Sequence, residues 1–160
     1  MCNTLLDNRT ISAYLGNMNF TILLGYLSLL TPAEHQVPSA KLEIQVTGPR
    51  VVFFEPSSAE QDSIVRVIGA ETGEVFDDFD YNAGKASVFL NARKIPVQFT
   101  SSPTIILKVG KTVVRQFDRQ NMPEMVGVIL INRNIEPRLI QGVATEEELI
   151  GEFVDFFQLK

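Results

Sequence analysis

A mixed α/β fold is predicted by three features of the sequence. Residues 41–47 (Lys-Leu-Glu-Ile-Gln-Val-Thr) alternate polar and apolar side chains with period two, the mark of a strand with one solvated face. Residues 51–54 (Val-Val-Phe-Phe) form an uninterrupted apolar run, as in a strand covered on both faces. Directly after it, Pro56, Ser57, Ser58 and Glu60 supply the proline, the caps and the acidic first turn of a helix that carries Ile64, Val65, Val67 and Ile68.

The elements follow in order. Residues 8–30 are mixed: Asn8 or Thr10 suits a helix cap, whereas Gly16, Asn17, Asn19 and Gly25 weaken a helix, and the apolar run 20–30 packs on protein as helix or strand. Pro32 and Pro38 mark the boundary between this extension and a core. The alternating strand ends at Gly48-Pro49, the buried strand at 50–54 is the central one, and the following helix closes near Gly69. Residues 74–81 read as a second strand, Asn82-Ala83-Gly84 as its exit, residues 85–93 as a helix, and Lys94-Ile95-Pro96 as the helix end. A hairpin follows, its first strand starting at Pro103 and its second at Thr112, with Gly110-Lys111 at the turn. Asn121, Pro123 and Glu124 have the spacing of a capping box, which predicts a helix through Leu130. Residues 139–143 are a short connector or strand, and Thr145 caps a last helix with an apolar stripe of Leu149, Ile150, Phe153, Val154, Phe156 and Phe157.

The order from residue 50 to 133 (strand, helix, strand, helix, strand, strand, helix), together with Pro103-Thr104 ahead of a hairpin, resembles the core of the thioredoxin superfamily. The resemblance implies an α/β, thioredoxin-like three-layer sandwich with a central mixed sheet over residues 41–134. An apolar extension over residues 1–40 precedes it, and a connector with an amphipathic helix over 135–160 follows. It also implies a cis Ser102-Pro103 bond beside the first helix, which only the resemblance favours over the intrinsic trans preference. The family's Cys-x-x-Cys would fall at the helix start, where this chain has Ser58 and Gln61 or, one residue earlier, Ser57 and Glu60. A thiolate is the nucleophile in that chemistry, and a serine needs an adjacent base to replace it. The simpler role of Ser57 or Ser58 is a helix cap.

Composition narrows the function classes. The chain has 160 residues, 45% of them hydrophobic, enough for one ordinary domain. Its 14 basic and 19 acidic residues give a net charge of −5 with no long basic run, which argues against a nucleic-acid partner. One cysteine, Cys2, and one histidine, His35, rule out an internal disulfide and leave a histidine- or cysteine-rich metal site unsupported. Asp77, Asp78 and Asp80 fit strand alternation or a turn better than a cation site, and Gly110-Lys111-Thr112 lacks the upstream glycine of a phosphate loop. The apolar run 20–30 is shorter than the roughly 20 residues that span a bilayer, and it lacks a basic leader. These features predict no membrane span, no secretion, and a cytoplasmic or virion-associated chain.

No catalytic residue, cofactor or metal is expected. The expected function is a redox-inactive, thioredoxin-like structural or binding subunit of a larger assembly, a virion among the candidates, with other protein subunits or copies of itself as partners. Phe20, Leu23, Leu24 and Leu27 in the first extension and Phe153, Phe156 and Phe157 in the last helix are the expected partner surface, since so much apolar area is not left bare. Two alternatives stand beside it. One is a serine-based or glutathione-handling enzyme using Ser57 or Ser58 beside Pro103; the other is a regulatory adaptor holding a client peptide along the Pro103 edge.

Overall fold

The computed structural model describes residues 41–122 and 125–160. The expectations placed on Phe20, Leu23, Leu24, Leu27, His35 and Cys2 lie outside the described residues, as do Pro123 and Glu124. The elements are β1 (Lys41–Gln45), β2 (Arg50–Phe54), α1 (Ser58–Ile68), α2 (Glu71–Ala92), β3 (Val97–Thr100), β4 (Thr104–Val109) and β5 (Thr112–Asp118). A 3-10 turn (Arg119–Asn121), β6 (Gly127–Asn132), β7 (Ile135–Gln141) and α3 (Glu146–Phe157) complete them.

The strands form two mixed sheets. The larger has the order β3-β2-β6-β7, with β2 parallel to β3 and antiparallel to β6, and β6 antiparallel to β7. The smaller has the order β1-β4-β5, parallel between β1 and β4 and antiparallel in the β4–β5 hairpin. Alternation along β2 explains its continuous apolar run. Val52 and Phe54 face the smaller sheet, where they pack with Ile44, Ile105, Leu107 and Phe117, and with Ile129 and Ile131 of β6. Phe53 faces the other way, stacked on Phe99 of β3 at 4.9 Å and met edge-on by Phe79 of α2 at 6.3 Å and Phe153 of α3 at 6.4 Å. The larger sheet is therefore the middle layer, between a sheet and the helices α2 and α3.

A mixed α/β fold with β2 at its centre is what the sequence predicts, but the covering of the central sheet is not. Helices were expected on both faces; the β1-β4-β5 sheet takes one of them. Three segments change type or were missed. Residues 74–81, expected as a strand, lie inside the helix α2, because Phe76, Phe79, Ala83, Ala86 and Leu90 recur at three- and four-residue steps and are all buried. Gly84 lies inside that helix with its position facing open space, its unfavourable propensity outweighed by the burial of its neighbours Ala83 and Ala86. In the segment 121–130, expected as a helix, Asn121 ends the 3-10 turn and Gly127 to Leu130 lie in β6, whose Val128 to Ile131 are buried on both faces beside β2. A short apolar run fits a buried helix or a buried strand equally, and pairing with β2 decides. The strand β3 had no expected counterpart; it is short and pairs in parallel with β2.

Gly127 is needed where β6 starts: a Cβ there would lie 2.6 Å from the Phe54 ring and 2.5 Å from the Ile140 carbonyl oxygen. Pro137, expected to end a helix, sits in β7 at the edge of the sheet, where a missing N–H is tolerated. The last helix is as expected, with Thr145 and Glu148 forming a reciprocal capping box. Of the stripe expected to face a partner, Phe153 and Phe156 are buried in this chain's own core, Phe157 is half-buried with its ring edge-on to Phe156 at 5.0 Å, and Val154 is exposed.

Candidate functional site

The best candidate site is the junction where β2 runs into α1, which holds Ser57, Ser58 and Gln61 and to which Pro103 is linked through Arg119. Ser57 is the N-cap of α1. Its N–H donates to Glu60 Oε2 at 2.7 Å, its hydroxyl donates to the same oxygen at 2.9 Å, and its Oγ accepts from the Glu60 N–H at 3.4 Å. This is a complete capping box, so the hydroxyl of Ser57 is engaged in holding the helix start. Ser58, the first helical residue, is exposed, and Gln61 turns back, its Nε2 donating to Glu55 Oε2 and to the Pro56 carbonyl, both at 3.0 Å.

Pro103 reaches this junction through an intermediary. The Ser102–Pro103 bond is trans, since no cis peptide bond occurs among the described residues; the expected cis bond is corrected, in line with the intrinsic preference. The strand expected to start at Pro103 starts one residue later, at Thr104, and the Pro103 carbonyl accepts from the Arg119 N–H at 2.8 Å. The Arg119 side chain then crosses to α1. Its Nη2 donates to Glu60 Oε1 and Oε2 at 2.9 and 3.0 Å and to the Ser101 carbonyl at 3.3 Å. The guanidinium is 1% exposed whereas Glu60 is 40% exposed, and among the described residues Arg119 Nε and Nη1 have no hydrogen-bond partner.

These contacts set the electrostatics. Burial by itself pushes the Glu60 carboxyl up, but the Arg119 hydrogen bond, the Ser57 N–H, the guanidinium charge and the Ser57 hydroxyl together hold it below the usual carboxylate range. Glu55 moves the other way. Burial comes first, then the charge of Asp80 on α2 and a hydrogen bond to it, and these outweigh Gln61 and Arg119, so the Glu55 carboxyl is raised. A Glu60 carboxylate held ionised by Arg119 is a weak base for Ser57, and no histidine stands among the described residues.

Neither Arg119 nor the Glu55–Asp80 contact was foreseen. An arginine in Asp118-Arg119-Gln120-Asn121 looks like any polar turn residue, and its partner Glu60 is 59 positions away. Of the other candidates, Asp77 and Asp78 are exposed on α2, and no three His, Cys, Asp or Glu side chains converge as metal ligands among the described residues. Gly110 has φ +60 and accepts from Gln45 Nε2 at 3.1 Å, which makes Gly110-Lys111 the hairpin turn that was expected. No described helix is long and apolar enough to cross a membrane.

No family model, no curated protein and no solved structure matches this chain. The junction must be read from its own chemistry, in which every polar side chain of the motif except Ser58 is committed to an intramolecular partner.

Proposed function

We propose that this chain is a redox-inactive, thioredoxin-like scaffold that serves as a structural or binding subunit of a larger protein assembly. The observation that carries the reading is the helix start itself. The resemblance would put a nucleophilic and a resolving cysteine at Ser58 and Gln61 or at Ser57 and Glu60; here Ser57 and Glu60 form a capping box, Glu60 pairs with the buried Arg119, and Gln61 is bonded to Glu55 and the Pro56 carbonyl. A group held in this way stabilises a fold; it does not attack a substrate.

The element order gives support in part. Over residues 50–133 the expected order is strand, helix, strand, helix, strand, strand, helix; the chain shares with it the buried strand β2 running into the capped helix α1 and the β4–β5 hairpin. The rest differs: residues 74–81 lie within α2, β6 stands where the closing helix was expected, and the β4–β5 hairpin belongs to the smaller sheet. The serine-enzyme alternative has less support, because among the described residues the carboxylate bonded to the Ser57 hydroxyl is the one that Arg119 holds ionised.

The test is native mass spectrometry of the chain isolated from its source without a tag, alongside an insulin-reduction assay. Copurified subunits in fixed stoichiometry and no thiol turnover are expected. A chain recovered alone at every concentration, or reductase turnover that persists in Cys2→Ser, would overturn the reading.

A further inference from the structure

The donors around the Glu60 carboxylate form a site that does not depend on Glu60. The Ser57 N–H and hydroxyl stand at the N-terminus of an 11-residue helix, whose dipole favours an anion. Arg119 is fixed from the opposite side by its backbone bond to Pro103 and by burial to 1% exposure. The guanidinium has capacity left as well, since among the described residues Nε and Nη1 are buried without partners, and a buried group of this kind calls for an explanation. The occupant, by contrast, is a 40% exposed side chain that can swing into solvent.

We propose that this ring of donors is a carboxylate-binding site for an acidic side chain of a partner polypeptide, with Glu60 its resident occupant until the partner's carboxylate replaces it. The inference rests on the reading of the chain as a binding subunit and names the chemistry of one contact. Exchange, not addition, is required: Glu55 and Asp80 already place carboxyl groups beside the junction, so a second anion next to Glu60 would be repelled. A resident occupant also sets the affinity. The apparent dissociation constant in trans is the intrinsic one divided by the fraction of molecules in which Glu60 has left the site, so removing Glu60 tightens binding.

The experiment uses the full chain as wild type, Glu60→Ala, Arg119→Met and the double variant. Each is titrated with sodium acetate against chloride at equal ionic strength, and with the peptide Gly-Val-Glu-Val-Gly or its Gln counterpart. The Ser57 and Gln61 amide resonances and the thermal midpoint are followed. Glu60→Ala is expected to show saturable Ser57 shifts and a rising midpoint with acetate, at an apparent affinity at least about tenfold tighter than wild type. Arg119→Met abolishes the response, and the Glu peptide binds where the Gln peptide does not. A folded Glu60→Ala that does not saturate, or that responds like the double variant, overturns the site, while copurification still judges the assembly reading separately. If Glu60→Ala does not fold, wild type against Arg119→Met with the Glu peptide decides. Ser57 shifts lost on removing Arg119 support the site, and wild type without such shifts refutes it.

Discussion

Replacing Glu60 by alanine leaves the Arg119 guanidinium buried without its counter-charge, and the structure predicts that this is worse than removing the arginine. The reason is the difference in exposure, 1% for Arg119 against 40% for Glu60. Breaking a fully buried pair from one side costs roughly 3–5 kcal/mol. Because Glu60 is 40% exposed and its loss lets water approach Nη2, we reduce this to about 2–3 kcal/mol, including the lost capping contact. At about 2–4 °C per kcal/mol for a chain of this size, the midpoint falls by about 5–10 °C. Arg119→Met, in contrast, replaces the buried charge with an apolar chain of similar volume and lets Glu60 turn to water, for a change within about 1 kcal/mol. The chain contains no tryptophan, so urea unfolding is followed by circular dichroism at constant pH. A cost below about 1 kcal/mol for Glu60→Ala, or a larger loss for Arg119→Met than for Glu60→Ala, would refute the reasoning about the pair.

Acidification weakens the same pair: Glu60 is lowered from 4.5 in the folded state, so its contribution is present above that value and lost as pH falls through the folded pKa. Glu55 has the opposite sign. It is raised from 4.5, so its contribution is present below that value and lost as pH rises through the folded pKa; a pH series of urea midpoints should show Glu55→Gln flattening the upper limb only. Gly127→Ala sets a Cβ against the Phe54 ring and a backbone carbonyl and should cost about 1–3 kcal/mol or abolish soluble expression, whereas Gly84→Ala, in open space on α2, should raise the midpoint. Phe153→Ala removes a fully buried ring that packs on Phe53 and should cost about 3–5 kcal/mol; a loss under 1 kcal/mol would place α3 outside the core. Thr145→Ala should cost about 1 kcal/mol through the α3 capping box, measured by the same unfolding curves.

The elements that could be read from the sequence are those whose signal is local. The period-two alternation of β1, the doubly apolar run of β2, the caps at Ser57 and Thr145 and the glycine turn of the β4–β5 hairpin each report a preference satisfied within a few residues. What tertiary structure decided is whatever depends on a partner far along the chain. The run at 127–131 is a strand because β2 offers an antiparallel neighbour, and the apolar residues of α3 belong to the core because Phe53 lies beneath them. The covering of the central sheet by β1, β4 and β5 follows from which apolar faces meet. The candidate site shows the same division. Sequence alone placed Ser57 and Glu60 at a helix start, because capping is local. Only the fold brought Arg119 to them, because an ion pair spanning 59 positions exists only once the chain has closed and the guanidinium has lost its water.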